Sequence, residues 1–239
     1  MDAGVAVTDA LVTAARRLTA AGNDQGVVLR PIGGVGVLLH CPVALEIGPH
    51  REFGDLDLAA RGDSRKITKV FEDEGYEADR RFNAMQGDRR MIFHGGIGKV
   101  DVFIGAFEMC HRIELSDRLP IEAETATASD LLLTKLQVVE LNEKDAIDIE
   151  LLLSEHALVA GSGDHIDVDY LGSVAGDDWG LWRTSTGTLR QVMELRPAVA
   201  PRALELIDVL DAAPKTRRFR MRARVGERKR WYELPDEIK

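Results

Sequence analysis

The chain has 239 residues, 45% hydrophobic and 30% charged, with a formal charge of −9. That length buries a substantial core and suits one large domain or one domain with an appendage, in the composition range of ordinary soluble globular proteins. The sequence has no basic start followed by an apolar run, no apolar segment of bilayer length, and two cysteines (Cys41 and Cys110) without metal-type spacing; this argues against a signal peptide, a membrane span and a disulfide or zinc framework, and makes the cytoplasm the expected compartment.

In chain order, Thr8 caps a helix to about Ala21, with Leu11, Ala15 and Leu18 on one stripe and Gly22 as its stop. Val27 to Ile32 reads as a short buried strand ending in Gly33-Gly34, after which Val35 to His40 either opens a short helix or continues as an apolar segment. A strand, a glycine pair and a helix start leave backbone N–H groups uncovered, an arrangement suited to phosphate. In the stretch Arg51 to Ala60, Asp55 and Asp57 alternate with Leu56 and Leu58. Side chains alternate between the faces of a strand, so both carboxylates project from one side while the leucines enter the core. The pair is either an Asp-rich turn or a place where two like charges share a divalent cation.

Ser64 to Glu74 reads as a helix closed by Gly75, and Tyr76 to Phe82 and Arg89 to His94 as two strands around Gln86-Gly87-Asp88. Gly98 to Ile104 is a further strand, in which Asp101 stands alone among Val100, Val102 and Phe103. A carboxylate there lies on an exposed edge or has a partner or a metal. From Ser129 the pattern turns helical, first to about Leu141 with Lys135 on a flank, then, after Asn142-Glu143-Lys144, through Ile147, Leu151 and Leu152 with Asp145 and Asp148 on the first turns. Gly161-Ser162-Gly163-Asp164 marks the expected boundary between regions 1–160 and 161–239. Helices follow over Asp177 to Leu195 and Ala200 to Leu210. Lys215 to Arg230 then holds nine Lys/Arg against Glu227, leaving 22 basic and 39 acidic residues in the rest of the chain. The basic segment alternates Arg with Phe219, Met221, Ala223 and Val225, which predicts a β-hairpin with one cationic face. That face either touches nucleic-acid phosphates or guards an edge and folds back onto the acidic body, folding back being preferred.

These residues resemble the nucleotidyltransferase fold of the DNA polymerase β superfamily, and most closely the abortive-infection (AbiEii-type) toxin nucleotidyltransferases. Gly33-Gly34 is similar to the family's glycine turn, and His50-Arg51-Glu52-Phe53-Gly54-Asp55-Leu56-Asp57 to its His-Arg-x-Ser/Thr-x-Asp-hydrophobic-Asp stretch. Asp101 matches the third carboxylate, Asp130 to Lys135 the lysine helix, and Lys144 to Ile149 the basic-Asp-x-x-Asp-Leu helix. The likeness covers about Val27 to Leu153. It departs in the length of Gly34 to Asp55, which includes Pro42 and Pro49, and in Phe53-Gly54, which replaces the small hydroxyl residue.

The resemblance implies an α+β fold: a nucleotidyltransferase-like mixed sheet flanked by helices, followed by a helical C-terminal region and the basic β-hairpin tail. It implies a Mg²⁺- or Mn²⁺-dependent enzyme moving NMP from an NTP to a hydroxyl of RNA, protein or a small molecule, and extends to a toxin partnered by an antitoxin, with no membrane partner. Asp55, Asp57 and Asp101 would be catalytic and metal-binding, and Gly33, Gly34, Arg51, Lys135 and Asp145 would hold the nucleotide. The alternative is a catalytically inactive relative acting in nucleotide binding or regulation.

Overall fold

Five short runs of alternating apolar residues build one sheet: β1 (Val28–Ile32), β2 (Leu56–Arg61), β3 (Glu77–Ala78), β4 (Arg90–Gly95) and β5 (Gly98–Ile104), in the order β1-β2-β5-β4-β3. Only β2 and β5 run parallel; the other neighbours are antiparallel. The structure, a computed structural model, describes residues 3–41 and 53–234.

Register sorts the side chains by face. Leu29, Leu56, Leu58, Ala60, Met91, Phe93, Val100 and Val102 share one face and join the core. Onto them pack Leu11, Ala14, Ala15 and Leu18 of α1 (Ala3–Asp24) and Ile67, Val70 and Phe71 of α3 (Ser64–Asp73). Asp63 caps α3 by accepting from the Arg65 and Lys66 amides. The shorter α2 (Gly33–His40) follows β1 without a break. On the other face, Asp57 and Asp101 are opposite one another in the β2–β5 register.

By contacts the chain divides into Met1–Phe107 with Glu114–Thr127, and Glu108–Ile113 with Ala128–Lys239. Helix α5 (Ala128–Leu136) belongs to the second of these units: its Leu131, Leu132, Leu133 and Leu136 are all buried, and it packs on later helices. Those are α6 (Glu143–Glu155), α7 (Val168–Asp177), α8 (Trp179–Leu195), α9 (Ala200–Ala212) and α10 (Arg217–Val225). Among the described residues no helix is long and apolar enough to cross a membrane.

The α+β class, the mixed sheet with flanking helices and the C-terminal helices are as the sequence suggests. Two local readings are corrected. Tyr76 to Phe82 is not one strand: after Ala78, Asp79 accepts from the Phe82 amide and starts α4 (Arg80–Gln86). The basic tail is not a hairpin but the helix α10. Thr216 caps it through the Phe219 amide, and Phe219 seats edge-on against Trp182 at 5.6 Å between ring centroids. Helix α7, capped by Asp167, precedes the helix expected from Asp177, over residues to which the sequence pattern assigned no element.

Phe71 and Phe93 are fully buried and stacked, with centroids 4.0 Å apart, where α3 meets the sheet. Phe71→Ala should lower stability by about 3–5 kcal/mol in urea denaturation, the usual cost of emptying a large aromatic site. A loss below about 1 kcal/mol would show that this contact does not anchor the helix.

Candidate active site

The polar face of the sheet is assembled by register. Asp57 lies opposite Ile32 at the end of β1 and opposite Asp101 on β5. The next residue after Ile32 is Gly33, whose φ is +61°. A Cβ added there would come within 2.5 Å of the Asp57 Oδ2. Glycine is therefore demanded twice, by the left-handed backbone and by the approach of the carboxylate. Gly33 and Gly34 form the first turn of α2, and its N-cap residue, Ile32, supplies no side-chain cap. The positive end of the helix dipole thus opens beside Asp57, which favours negative charge there.

Asp101 is not on an exposed edge. It is 1% exposed, on the central strand β5. Arg90 donates to its Oδ1 through Nε (2.9 Å) and Nη2 (2.6 Å), and the Lys99 ammonium lies 2.8 Å from its Oδ2. The Arg90 guanidinium also stands 5.0 Å from the centroid of the Phe103 ring, which holds it flat against the sheet. The same Lys99 ammonium is 3.9 Å from the exposed Asp55 carboxylate. Burial alone pulls the Lys99 pKa down, but the hydrogen bond and charge of Asp101, with that of Asp55, outweigh it and Arg90, leaving the pKa above the ordinary lysine value.

Asp55, Asp57 and Asp101 therefore gather at one region of one face, with a lysine between two of them. Their ligand oxygens do not all lie within 4.8 Å of one another. The donor chemistry fits a hard divalent cation at Asp55 and Asp57, two carboxylates at a strand mouth beside a glycine with no Cβ in the way. Asp101 is already engaged by two cationic side chains.

Arg51 and the neighbouring His50 lie outside the described residues. Phe53, the departure from the family's small hydroxyl, packs against the hydrophobic core.

In the second unit, Lys135 reaches Asp145 Oδ1 at 2.8 Å and Asp148 Oδ2 at 2.9 Å, tying α5 to α6. Its side chain is 12% exposed and that of Asp148 1%. Asn142 caps α6 through the Asp145 amide and also donates to the Asp145 carboxylate. Burial pulls the Lys135 pKa down, but Asp148 and Asp145 overcome it and hold the ammonium above the usual lysine value. Here Lys135 acts as a buried tie between helices.

Sequence reasoning missed Arg90 and Lys99. Lys99 was legible, since two residues before Asp101 means the same strand face. Arg90 required the register of the β4–β5 hairpin, which closes at Gly95 opposite Gly98 and sets Arg90 opposite Phe103, diagonal to Asp101.

No protein-family model matches the chain, and no curated protein is close enough in sequence to match. Among solved structures, an antigenic nucleotidyltransferase-like protein from Paracoccidioides brasiliensis is similar at 15% identity and a TM-score of 0.46, covering 87% of this chain and 95% of that one. The antibiotic-resistance factor ANT(2'')-Ia is similar in its solution structure, at 14% identity and a TM-score of 0.41 over 60% of this chain and 82% of that one. Its crystal structure in complex with adenylyl-2''-tobramycin gives 14% and 0.40, over 60% and 87%. At identities this low, the roles of the site residues rest on their own geometry.

Two substitutions test these placements. Gly33→Ala should cost about 1–2 kcal/mol from the backbone alone and should also shift Asp57; a urea midpoint equal to wild type would contradict the close approach. Lys135→Met should cost about 3–5 kcal/mol, because it removes the ammonium that pairs with the buried Asp148. A raised folded pKa gives a stabilisation complete below the ordinary lysine value of 10.5 and lost as pH rises through the folded value. On the alkaline side, the stability gap between wild type and Lys135→Met should therefore narrow only above about pH 10.5, and a gap that closes as pH is raised from 7 to 9 would refute the tie.

Proposed function

We propose that the first unit is a nucleotidyltransferase that moves NMP from an NTP onto a hydroxyl. The observation that carries this reading is the register of Asp57 against Asp101 on parallel strands, with Gly33 pressed against the Asp57 carboxylate. A sheet built only for stability has no use for two carboxylates opposite one another and a helix N-terminus opening beside them.

In this reading Asp55 and Asp57 hold Mg²⁺ or Mn²⁺. Such an ion would neutralise charge on the triphosphate and polarise the phosphorus for in-line attack. The Gly33 and Gly34 amides, at the start of α2, donate to phosphate oxygens. The acceptor's hydroxyl oxygen bonds to the α-phosphorus while the bond from that phosphorus to the bridging oxygen breaks, and pyrophosphate departs with the electron pair. Lys99 turns from Asp101 toward the incoming phosphates, and Asp101, still held by Arg90, takes the hydroxyl proton.

The acceptor is a hydroxyl of RNA, protein or a small molecule. The resemblance to AbiEii-type toxins extends the proposal to a cytoplasmic toxin held in check by an antitoxin.

A second reading is favoured by one specific observation. Both oxygens of Asp101 already accept from Arg90 and Lys99, as in a domain that binds nucleotide without transferring it. Binding of Mg²⁺·NTP with no pyrophosphate release across RNA, protein and small-molecule acceptors would favour this one.

Asp55→Asn with Asp57→Asn should reduce pyrophosphate release by roughly 100-fold or more, the scale of losing a main electrostatic stabiliser; full activity in the double variant would remove the pair from the chemistry. Because Lys99 competes with the ion for Asp55 in this reading, Lys99→Met should tighten Mn²⁺ binding several-fold in isothermal titration. An unchanged or weaker affinity would mean that Lys99 does not guard the carboxylates.

A further inference from the structure

The nine basic residues of Lys215 to Arg230 have no part in the carboxylate site, and within the second unit the six from Lys215 to Arg224 fall into two sets. One set fastens α10 down. Arg218 reaches Asp177 at 3.3 Å and Asp178 at 3.5 Å. Arg222 donates to the carbonyls of Gly226 and Lys229 and lies 4.8 Å from the centroid of the Trp179 ring. Lys215 donates to the Leu210 carbonyl and stands 5.2 Å from the centroid of the Phe219 ring.

The other set faces out. Arg217, Arg220 and Arg224 are exposed, and among the described residues their side chains have no hydrogen-bond, carboxylate or aromatic partner. At 100° per residue they fall within roughly 60° of one another on the helix, on the side away from Phe219. They rise in steps of roughly 5 Å over a total of roughly 10 Å.

We propose that this arginine stripe docks the phosphate backbone of a nucleic acid. Three exposed guanidinium forks in a row match phosphate oxygens bidentately, which a row of lysines would not. The remainder of the chain holds 22 basic against 39 acidic residues, so the stripe stands out as a local positive site and the rest resists non-specific wrapping. A membrane surface is the poorer fit. The large apolar side chain of α10, Phe219, is 7% exposed and packed on Trp182, which leaves Met221 and Val225 as the apolar side chains on its exposed side. The proposal does not depend on nucleotide transfer by the first unit.

The test uses the full chain and a fluorescein-labelled RNA of about 20 nucleotides, single-stranded and as a duplex, in anisotropy titrations between about 50 and 200 mM salt. Wild type should bind with an affinity that falls with salt. Arg217→Gln/Arg220→Gln/Arg224→Gln should bind at least ~10-fold more weakly at the lowest salt and lose about two to three units of log–log salt slope on the duplex. Arg220→Gln alone should lose about one. Arg65→Gln/Lys66→Gln, at exposed positions of α3, should bind like wild type. Circular dichroism and urea midpoints should be the same for all, since the three stripe arginines make no contacts to lose. Any of these would overturn the proposal: no RNA binding by wild type, equal binding by the triple and single variants, or equally tight binding of polyglutamate or phosphatidylserine vesicles.

Discussion

Two carboxylates facing each other across adjacent strands are the constraint around which the first unit is arranged. Side chains directly opposite in a sheet stand about 5 Å apart at Cβ, where like charges destabilise the pairing. The β2–β5 register imposes that arrangement on Asp57 and Asp101. What offsets it is visible on the same face: Arg90 and Lys99 on Asp101, Lys99 again near Asp55, and the N-terminus of α2 beside Asp57. The apolar face fixes this register in turn. A slip of one residue would send Leu56, Leu58, Val100 and Val102 out of the core and the aspartates into it.

Asp55 is largely exposed, Asp57 half-buried and Asp101 buried, so the three carboxylates form a gradient from solvent into the sheet. Lys99 links the two ends of that gradient as an internal cation. A divalent ion carrying phosphate would deliver positive charge to the same carboxylates, and a lysine on a flexible stem is the partner easiest to displace. Arg90, pinned by Phe103 and bound through two nitrogens, is the partner that stays.

Much of this was legible in the sequence because period-two alternation is strong where one face is buried. It gave β5 over Gly98–Ile104, and it put Asp55 and Asp57 on one side of their strand. The Asp101 pairing followed only once β2 and β5 were neighbours, which no local pattern dictates. Alternation misled in the basic tail, where Phe219, Met221, Ala223 and Val225 read as a strand face. A helix capped by Thr216 instead buries Phe219 against the tryptophans of α8, a tertiary contact that outweighs local pattern. The likeness singled out Lys135 and Asp145, and the two side chains meet at 2.8 Å. It did not foresee Asp148 as a second, more deeply buried partner, because an acid on a first helical turn ordinarily serves the dipole.

The most direct test of the acidic face is a crystal soaked with Mn²⁺ and a non-hydrolysable NTP, read by anomalous scattering. The expected map has a manganese peak against Asp55 and Asp57, the phosphates near Gly33 and Gly34, and the Lys99 ammonium withdrawn from Asp101. Manganese bound elsewhere, with Lys99 still bridging Asp55 and Asp101, would contradict the assignment of nucleotide chemistry to this sheet face.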